Sequence, residues 1–216
     1  MLAAHDTAQQ FSSLFHVYAV VAAAVVAAVF AAVAVTVIRF RRRDDRPPSG
    51  RTGAPTVEAA YVVLLAVIAL GLLAATFRTE NREDSLSERT GLRVDVTAYQ
   101  WSWRFRYPDS GVVVDGGAVA ARRHGTPTLV VPTGTVVRFS LRSADVLHSF
   151  FIPDLRFKRY AFPGVTNHFD LQFERAGHMS GACAQFCGWD HAEMRFDVLA
   201  LPPGGFRSWL ERRQAA

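Results

Sequence analysis

Residues 181–194 read G-A-C-A-Q-F-C-G-W-D-H-A-E-M. Four side chains in this stretch can bind a soft metal ion: Cys183, Cys187, His191 and Met194, at spacings of four, four and three. A second histidine, His148, lies upstream in S-A-D-V-L-H-S-F. Thiolate and thioether donors favour copper, whereas imidazole suits copper, zinc and iron. The stretch therefore predicts a copper site that two separate parts of the chain build together.

The donor set fits two copper ions better than one. A mononuclear blue-copper site uses two histidines, one cysteine and a weak axial methionine. This chain has a second cysteine, and two thiolates on one tight loop can both bridge two ions. Each ion then takes one histidine and one weak ligand. Met194 can serve one ion, and a backbone carbonyl between Cys183 and Cys187 can serve the other.

Two other interpretations stay open on these residues alone. A Cys183–Cys187 disulfide is the simplest use of two nearby cysteines in an exported domain, but it leaves His148, His191 and Met194 without a role. A zinc site with two cysteines and two histidines has the required number of ligands, but it gives Met194 no role.

Two long apolar runs precede these motifs. Residues 14–38 read LFHVYAVVAAAVVAAVFAAVAVTVI, without Asp, Glu, Lys or Arg. Because a helix rises about 1.5 Å per residue, this run exceeds the roughly 30 Å hydrocarbon core of a bilayer. A second apolar run, at 58–78, predicts a second transmembrane helix. The first run is too long, and its N-terminus too poor in positive charge, for a cleaved signal peptide. We therefore expect residues 1–78 to form a two-helix transmembrane hairpin.

The connection between the two apolar runs is rich in arginine. Its members are Arg39, Arg41, Arg42, Arg43, Arg46 and Arg51. The positive-inside rule places such a loop in the cytoplasm. Both termini, and everything after residue 78, are then expected outside the cytoplasm of a bacterial cell. Because the cluster also supplies much of the formal net charge of +5, we expect no nucleic-acid-binding face.

The rest of the chain predicts a linker, a β-domain and a helical tail. Residues 79–91 are mostly polar and predict a linker. From 92 to 203, short alternating or apolar runs are separated by turn residues, which predicts an all-β sandwich or barrel. The predicted strands lie at 94–99, 101–107, 112–114, 128–131, 136–141, 168–173 and 195–199. Residues 204–216 predict a C-terminal helix.

The chain resembles subunit II of cytochrome c oxidase, in the haem–copper oxidase family, over nearly its whole length. The resemblance rests on S-A-D-V-L-H-S-F-F-I-P, on C-A-Q-F-C-G-W-D-H-A-E-M and on the aromatic stretch Y-Q-W-S-W-R-F-R-Y-P-D. It implies a cupredoxin-like sandwich behind the transmembrane hairpin. It also implies that the chain accepts single electrons from cytochrome c at a dinuclear copper A centre. The electrons would then pass to haem in subunit I, which carries a further copper and reduces oxygen to water, with subunit III as another partner.

The resemblance assigns roles to single residues. The copper A ligands would be His148, Cys183, Cys187, His191, Met194 and the backbone carbonyl of Gln185. Trp101 matches the tryptophan through which cytochrome c passes its electron, and Asp145 an acidic residue of the docking surface. Glu58 matches a glutamate near the entrance of a proton channel into subunit I, although a carboxylate near a helix start is also favoured by the helix dipole.

Some positions depart from the family pattern. Most members have glutamate where this chain has Gln185, and that side chain helps to hold a magnesium ion. A neutral amide is a weaker ligand for a hard cation, so the expectation of magnesium is weakened here. Ser102 replaces an aromatic residue beside Trp101. The part after residue 78 also lacks net acidity, so steering of a basic cytochrome c would be weak, and a membrane-bound or fused cytochrome would serve better as donor.

Three other functions use the same fold or similar ligands. The copper A subunit of a nitric oxide reductase would be told apart by the catalytic subunit that accompanies it. A quinol oxidase subunit II lacks the copper ligands, which are present here. A membrane-anchored copper carrier uses an exchangeable mononuclear site, and it would leave Trp101 and one of the two cysteines without a purpose.

Overall fold

The computed structural model describes residues 7–41, 53–116 and 126–215. The helices are α1 (Thr7–Arg39), α2 (Pro55–Glu83) and α3 (Pro203–Gln214). The strands are β1 (Leu92–Tyr99), β2 (Ser102–Arg106), β3 (Val113–Asp115), β4 (Thr128–Pro132), β5 (Val136–Ser143), β6 (His148–Ile152), β7 (Phe157–Ala161), β8 (Asn167–Gln172), β9 (Gly177–Cys183) and β10 (Arg195–Leu201). The chain forms two compact units. Residues 10–81, the helical unit, hold most of α1 and α2, and the residues from Arg82 onward hold the described strands and are called the β-unit.

Both predicted spans lie within long helices. Phe11–Arg39 of α1 and Pro55–Arg82 of α2 are long and apolar enough to cross a membrane, by length and composition. Helix α2 continues to Glu83, so residues 79–83, predicted as linker, are helical instead. This stretch contains no glycine or proline and includes good helix formers, so nothing stops the helix where the apolar run ends. Of the arginine-rich connection, residues 42–52 lie outside the described residues.

The strands form two five-stranded sheets, in the orders β3-β2-β1-β5-β8 and β4-β10-β9-β6-β7. In the first, β1 pairs antiparallel with β2 and parallel with β5. In the second, β10 pairs antiparallel with β9 and parallel with β4. Residues of β5 and β10 alternate between buried and more exposed positions, as expected when one face of each sheet packs on another layer. The predicted β-sandwich is confirmed.

Aromatic rings from both sheets fill the space between them. Trp103 of β2, Phe150 of β6 and Phe196 of β10 are fully buried. Phe150 stacks on Phe196 with 4.7 Å between ring centroids, and Trp103 lies 5.7 Å and 5.2 Å from these two rings. The imidazole of His148 is 6.4 Å from the Trp103 ring. The aromatic core therefore lies directly against the start of β6.

Tyr107, just after β2, links the two sheets through its hydroxyl. The hydroxyl donates to the Val130 carbonyl of β4 at 2.8 Å and accepts from the Val130 N–H at 2.9 Å. Burial raises the pKa of the Tyr107 phenol, so the hydroxyl keeps the proton that it donates. Phe206 and Trp209 of α3 pack on the Tyr107 ring at 6.3 Å and 5.3 Å between centroids. The predicted C-terminal helix is thus part of the packed β-unit.

Strand β9 was absent from the sequence-based prediction, as were β6 and β7. Its sequence, GHMSGAC, has two glycines and no β-branched residue, and such residues favour strands weakly. The strand forms because β10 and β6 pair with it on both sides. A Cβ atom at Gly181 would lie 2.1 Å from the Phe196 ring, so the close packing of this strand on the core requires glycine.

The polar segment after α2 is bound to the sandwich by charge. The carboxylate of Asp170 in β8 is fully buried and accepts hydrogen bonds from the Arg138 guanidinium at 2.9 Å and from the Ser87 N–H at 2.7 Å. Arg138 also donates to the Ser87 carbonyl at 2.6 Å. Asp84 pairs with Arg159 of β7 at 2.7 Å. Much of the predicted linker is therefore fixed to β5, β7 and β8.

Candidate metal centre

Strand pairing brings the donors together at one end of the second sheet. His148 begins β6 and Cys183 ends β9. These strands are antiparallel neighbours, with Phe150 opposite Cys183, so the start of one lies beside the end of the other. The loop 184–194 then returns to β10, and the Cys183 N–H donates to the Met194 carbonyl at 2.9 Å across its base. Residues 35 to 46 positions away from His148 are thereby placed next to it.

The sulfur and nitrogen donors converge closely. The two cysteine Sγ atoms are 3.8 Å apart. His148 Nδ1 lies 3.9 Å from Cys183 Sγ, and His191 Nδ1 lies 3.4 Å from Cys187 Sγ. Met194 Sδ is 3.7 Å from Cys187 Sγ. The structure thus brings these five predicted ligands into one cluster.

The carbonyl oxygen of Gln185 completes the set. It lies 3.2 Å from Cys183 Sγ, within the loop between the two cysteines. The Gln185 residue is only partly buried. Each thiol therefore has one imidazole nitrogen and one weaker donor close to it.

These distances fit soft metal ions bound between the thiolates. Metal–thiolate bonds are about 2.3 Å and metal–imidazole bonds about 2.0 Å long. Two sulfurs 3.8 Å apart can therefore share an ion, and so can each sulfur and its neighbouring imidazole at 3.9 Å or 3.4 Å. The donor atoms of His148, Cys183 and Cys187 all lie within 4.8 Å of one another, and all three residues are buried. A site of thiolate, imidazole and thioether donors suits copper.

The cysteines form no disulfide. A disulfide requires about 2.05 Å between its sulfurs, whereas these sulfurs are 3.8 Å apart and both thiols are free. The disulfide interpretation therefore does not describe this state of the chain.

The two thiols differ electrostatically. Burial opposes ionisation of Cys183, but hydrogen bonding, first of all with His148, outweighs burial and lowers the pKa of Cys183 to about 6. Burial and the negative charge of Cys183 raise the pKa of Cys187 to about 12. The surroundings thus favour ionisation of the Cys183 thiol at neutral pH and disfavour ionisation of the Cys187 thiol. A cation between the sulfurs supplies the charge that the second thiolate needs.

Asp145 orients the strand-borne histidine. Its Oδ1 lies 2.7 Å from His148 Nε2, which leaves Nδ1 facing the sulfurs. Its Oδ2 accepts from the Gln100 N–H at 2.7 Å. Burial raises the pKa of Asp145, but the bonds to His148, Gln100 and Val146 outweigh it and lower the pKa overall. In many metal sites, a carboxylate accepts a hydrogen bond from the imidazole that binds the metal and so fixes its orientation.

Trp101 contacts the cluster through the protein backbone. It lies in a two-residue turn between β1 and β2, whose Gln100–Trp101 peptide bond is cis. Its indole N–H donates to the Cys187 carbonyl at 3.2 Å, and its side chain is partly exposed. Neighbouring Ser102 is buried with 6% of its surface exposed, so it contributes little to the surface beside Trp101.

Glu58 belongs to the helical unit. It lies in the first turn of α2, and its Oε1 accepts a hydrogen bond from the Ala54 N–H at 3.1 Å. The carboxylate therefore satisfies a backbone donor at the start of its own helix, as the helix dipole favours.

Three features of the cluster were absent from the sequence-based prediction. The Gln100 side chain donates to the Cys187 carbonyl at 2.8 Å. Gly188 has a φ of +123°, a conformation that side chains rarely adopt, and the glycine directly after Cys187 was the available signal. Phe186 and Trp189 leave 76% and 93% of their surfaces exposed on the ligand loop, which no periodicity in a loop could indicate.

The described residues define a cupredoxin-like β-sandwich that carries a cluster of two thiols, two imidazoles and a thioether at one end. The family model for "Cytochrome C oxidase subunit II, periplasmic domain" matches residues 92–201, half of the chain. The chain therefore belongs to the cytochrome c oxidase subunit II family, as the sequence motifs predicted.

Curated relatives and solved structures agree with this assignment. A "Probable cytochrome c oxidase subunit 2" of Streptomyces avermitilis is 33% identical over 206 residues, which cover 80% of this chain and 64% of the relative. The cytochrome c oxidase subunit 2 of Alkalihalophilus pseudofirmus is 30% identical, with 84% of this chain and 52% of the relative covered. The chain thus spans less than two thirds of these relatives' length.

Two solved structures share the β-unit. The periplasmic domain of cytochrome oxidase subunit II from Bradyrhizobium japonicum matches with a TM-score of 0.54 and 29% identity, covering 60% of this chain and 98% of that domain. A subunit II domain solved as a mixed-disulfide intermediate with a thioredoxin-like protein matches with a TM-score of 0.51 and 27% identity, covering 60% of this chain and 95% of that chain.

Proposed function

We propose that this chain is the electron-entry subunit of a respiratory cytochrome c oxidase, and that it accepts single electrons from cytochrome c at a dinuclear copper A centre. The observation that carries the proposal is the convergence of Cys183 and Cys187, 3.8 Å apart, with an imidazole at 3.9 Å and 3.4 Å from the respective sulfurs. Zinc needs neither the thioether of Met194 nor the carbonyl of Gln185, and both lie against the thiols.

Six residues would hold the copper: His148, Cys183, Gln185 through its carbonyl, Cys187, His191 and Met194. Bound copper would supply reversible one-electron chemistry, with the charge shared between two ions. The chain keeps the donors in place through two sheet strands and a closed loop. Fixed donors keep the geometry nearly constant between oxidation states, so little reorganisation opposes electron transfer.

Trp101 is the proposed entry point for the electron. Its indole is partly exposed and donates to the carbonyl of Cys187, so one hydrogen bond joins a surface ring to a ligand residue. Asp145 is the proposed docking acid. Its side chain is 31% exposed and bonds at the same time to His148, so docking and ligand orientation would use one carboxylate.

The remaining partners follow from the family. Electrons would pass to haem in subunit I, whose own copper and haem reduce oxygen to water, and subunit III would complete the complex. Helices α1 and α2 would anchor the chain in a bacterial cell membrane, with both termini and the β-unit outside the cytoplasm. Glu58 would lie near the entrance of a proton channel. Gln185 offers only an amide to a hard cation, so we do not expect a tightly bound magnesium ion there.

The proposed donor is a cytochrome c that is membrane-bound or fused to another subunit. The part of the chain after residue 78 lacks an acidic excess, and long-range attraction of a basic protein needs one. Turnover with free basic cytochrome c should therefore depend only weakly on salt. A steep fall in turnover with rising salt would contradict this proposal.

The two cysteines must be reduced before copper can bind. A relative was captured as a mixed disulfide with a thioredoxin-like protein. We propose that a thioredoxin-like reductant likewise acts on Cys183 and Cys187 before copper loading.

Rapid-mixing kinetics test the entry point. The copper-loaded full chain is mixed with reduced cytochrome c, and oxidation of the haem is followed optically. Trp101→Leu should slow this oxidation by at least about tenfold while the copper content stays at two per chain. Trp189→Leu is the matched control, because it removes another exposed indole from the same region. If Trp189→Leu slows the reaction and Trp101→Leu does not, the electron does not enter at Trp101.

A further inference from the structure

The carbonyl oxygen of Cys187 accepts hydrogen bonds from two consecutive residues. The side-chain amide of Gln100 donates to it at 2.8 Å, and the indole of Trp101 donates to it at 3.2 Å. Both donors lie in the turn between β1 and β2, in the first sheet. Cys187 lies in the loop between β9 and β10, in the second sheet. The two bonds therefore attach the ligand loop to the other layer of the sandwich.

The main chain of Gln100 reaches the other side of the cluster. Its N–H donates to Asp145 Oδ2 at 2.7 Å, and Asp145 Oδ1 lies 2.7 Å from His148 Nε2. Gln100 is thus hydrogen-bonded both to Asp145, the partner of His148 on β6, and to the backbone of Cys187 in the loop after β9.

Gly188 makes room for this arrangement. A Cβ atom at position 188 would lie 3.1 Å from Gln100 Nε2 and 3.0 Å from a carbon of the Trp101 ring. Both contacts are tighter than ordinary packing. The glycine therefore lets the amide and the indole reach the same carbonyl.

We propose that Gln100 is a positioning residue of the metal centre, whose amide fixes the Cys187 main chain relative to the Asp145–His148 pair. The proposal rests on the dinuclear copper centre proposed above. An amide suits this task because it donates to a carbonyl without adding a charge beside the metal ions. Leucine at this position has no donor, and an ionised glutamate has only acceptors, so neither can replace the bond.

Copper retention provides the first test. The full chain in detergent is loaded with copper and challenged with a chelator, and copper content and electron paramagnetic resonance are followed. Removal of an outer hydrogen bond typically weakens metal binding about 10- to 100-fold. Because Trp101 still donates to the carbonyl, we expect Gln100→Leu to lose copper about tenfold faster, with altered hyperfine splitting. Gln100→Glu has nearly the same shape and should behave alike, which keeps the test valid should the leucine variant fold poorly.

Gln214 offers a matched control. Its side-chain amide also donates to a backbone carbonyl, that of Ser110 at 3.0 Å, but it lies in α3. Gln214→Leu should leave copper loss and the resonance spectrum unchanged. If Gln100→Leu and Gln100→Glu both match Gln214→Leu, Gln100 does not position the centre.

A double variant tests whether the two donors share one task. Gln100→Leu and Trp101→Phe each remove one of the two described donors to the Cys187 carbonyl, and the double variant removes both. We expect copper loss in the double variant to be faster than the product of the two single effects, because residues that share a partner are not additive. If the increase in the copper-loss rate of the double variant equals the product of the two single increases, the two donors do not act through one shared acceptor.

The metal-free chain gives a test that does not depend on copper. With its loop less firmly held, Cys187 should react about tenfold faster with a small alkylating reagent in Gln100→Leu than in Gln214→Leu, as read by mass spectrometry. Equal rates would overturn the positioning role. If the unsubstituted chain fails to bind two coppers, the proposed function fails, while the alkylation rates still decide the role of Gln100.

Discussion

The donors of the candidate metal centre are held in two different ways. His148 and Cys183 belong to strands of one sheet, where backbone ladders and the aromatic core fix them. Cys187, His191 and Met194 follow on the loop 184–194, which has no ladder partner along its middle. The positions of the strand-borne donors, His148 and Cys183, are therefore set by the sheet itself. The loop-borne donors need separate contacts, and Cys187 obtains them from the opposite sheet.

This difference separates stability from site geometry. A substitution where the strands pack on the core should lower the stability of the whole β-unit and weaken copper binding with it. A change in the loop should leave the β-unit folded and alter the centre alone. Paired glycine substitutions test this directly, because Gly181 lies in β9 and Gly188 lies in the loop.

The largest effect is expected from Gly181→Ala. The new methyl would lie 2.1 to 2.5 Å from atoms of the buried Phe196 ring. Overpacking of a tight core typically costs about 1–3 kcal/mol, and contacts this short place the expected loss at about 3 kcal/mol. The free energy of unfolding of the metal-free chain, measured with urea by circular dichroism, should fall by that amount, and copper binding should fall with it. Gly204→Ala is the control, since a Cβ there meets nothing within 4 Å. Equal stability of the two variants would refute the close packing of β9.

Tyr107→Phe should come next. It removes both hydrogen bonds to Val130 and leaves two backbone groups in a buried region without this partner. The expected loss in unfolding free energy is about 2 kcal/mol, with little change at the distant metal centre. Tyr160→Phe, at a partly exposed tyrosine, should cost much less in the same urea titration. A loss no greater than that of Tyr160→Phe would show that the Tyr107 hydroxyl does not join the sheets.

Gly188→Ala should affect the centre more than the fold. The φ of +123° places strain of about 1–3 kcal/mol on any other residue, but the loop can relieve much of it by shifting. We expect a smaller loss of unfolding free energy than for Gly181→Ala, together with faster copper loss. If Gly188→Ala weakens the β-unit as much as Gly181→Ala, the distinction between strand-borne and loop-borne donors is wrong.

Met194→Leu should have the smallest effect on stability. Leucine and methionine have similar volumes, and such exchanges usually cost under about 1.5 kcal/mol. The weak axial ligand tunes a copper centre and is not its main attachment. The variant should therefore keep two coppers per chain and show a shifted reduction potential, read by redox titration. Loss of half the copper would mean that Met194 is a principal ligand.

The clustering of the donor residues was easier to predict from the sequence than the structure that supports it. Cysteine, histidine and methionine side chains can bind soft metal ions in any fold, and their spacing can be read directly from the sequence. The donor set and the family were therefore recognisable. Two long apolar runs likewise fix the existence of the two helices. Strand β9 was missed because its glycines and small residues favour strands only weakly. Pairing with β10 and β6, which lie elsewhere in the sequence, creates it. The end of α2 was misplaced because polar helix formers prolong a helix beyond its apolar run.

The contacts of Gln100 could not be predicted for a related reason. Nothing local connects it to Cys187, which lies 87 positions along the chain. Only the approach of two sheets brings the turn and the loop together. The same holds for Trp101, whose proposed role rests on the family resemblance and whose hydrogen bond to Cys187 is seen only in the structure.

The central claim is that two coppers share the thiolates of Cys183 and Cys187. It is tested most directly by loading the full chain with copper and combining metal analysis with electron paramagnetic resonance. We predict two coppers per chain and a spectrum in which one unpaired electron is shared equally between two copper nuclei. A single zinc, or one copper with an intense blue absorption band and a mononuclear spectrum, would contradict the account.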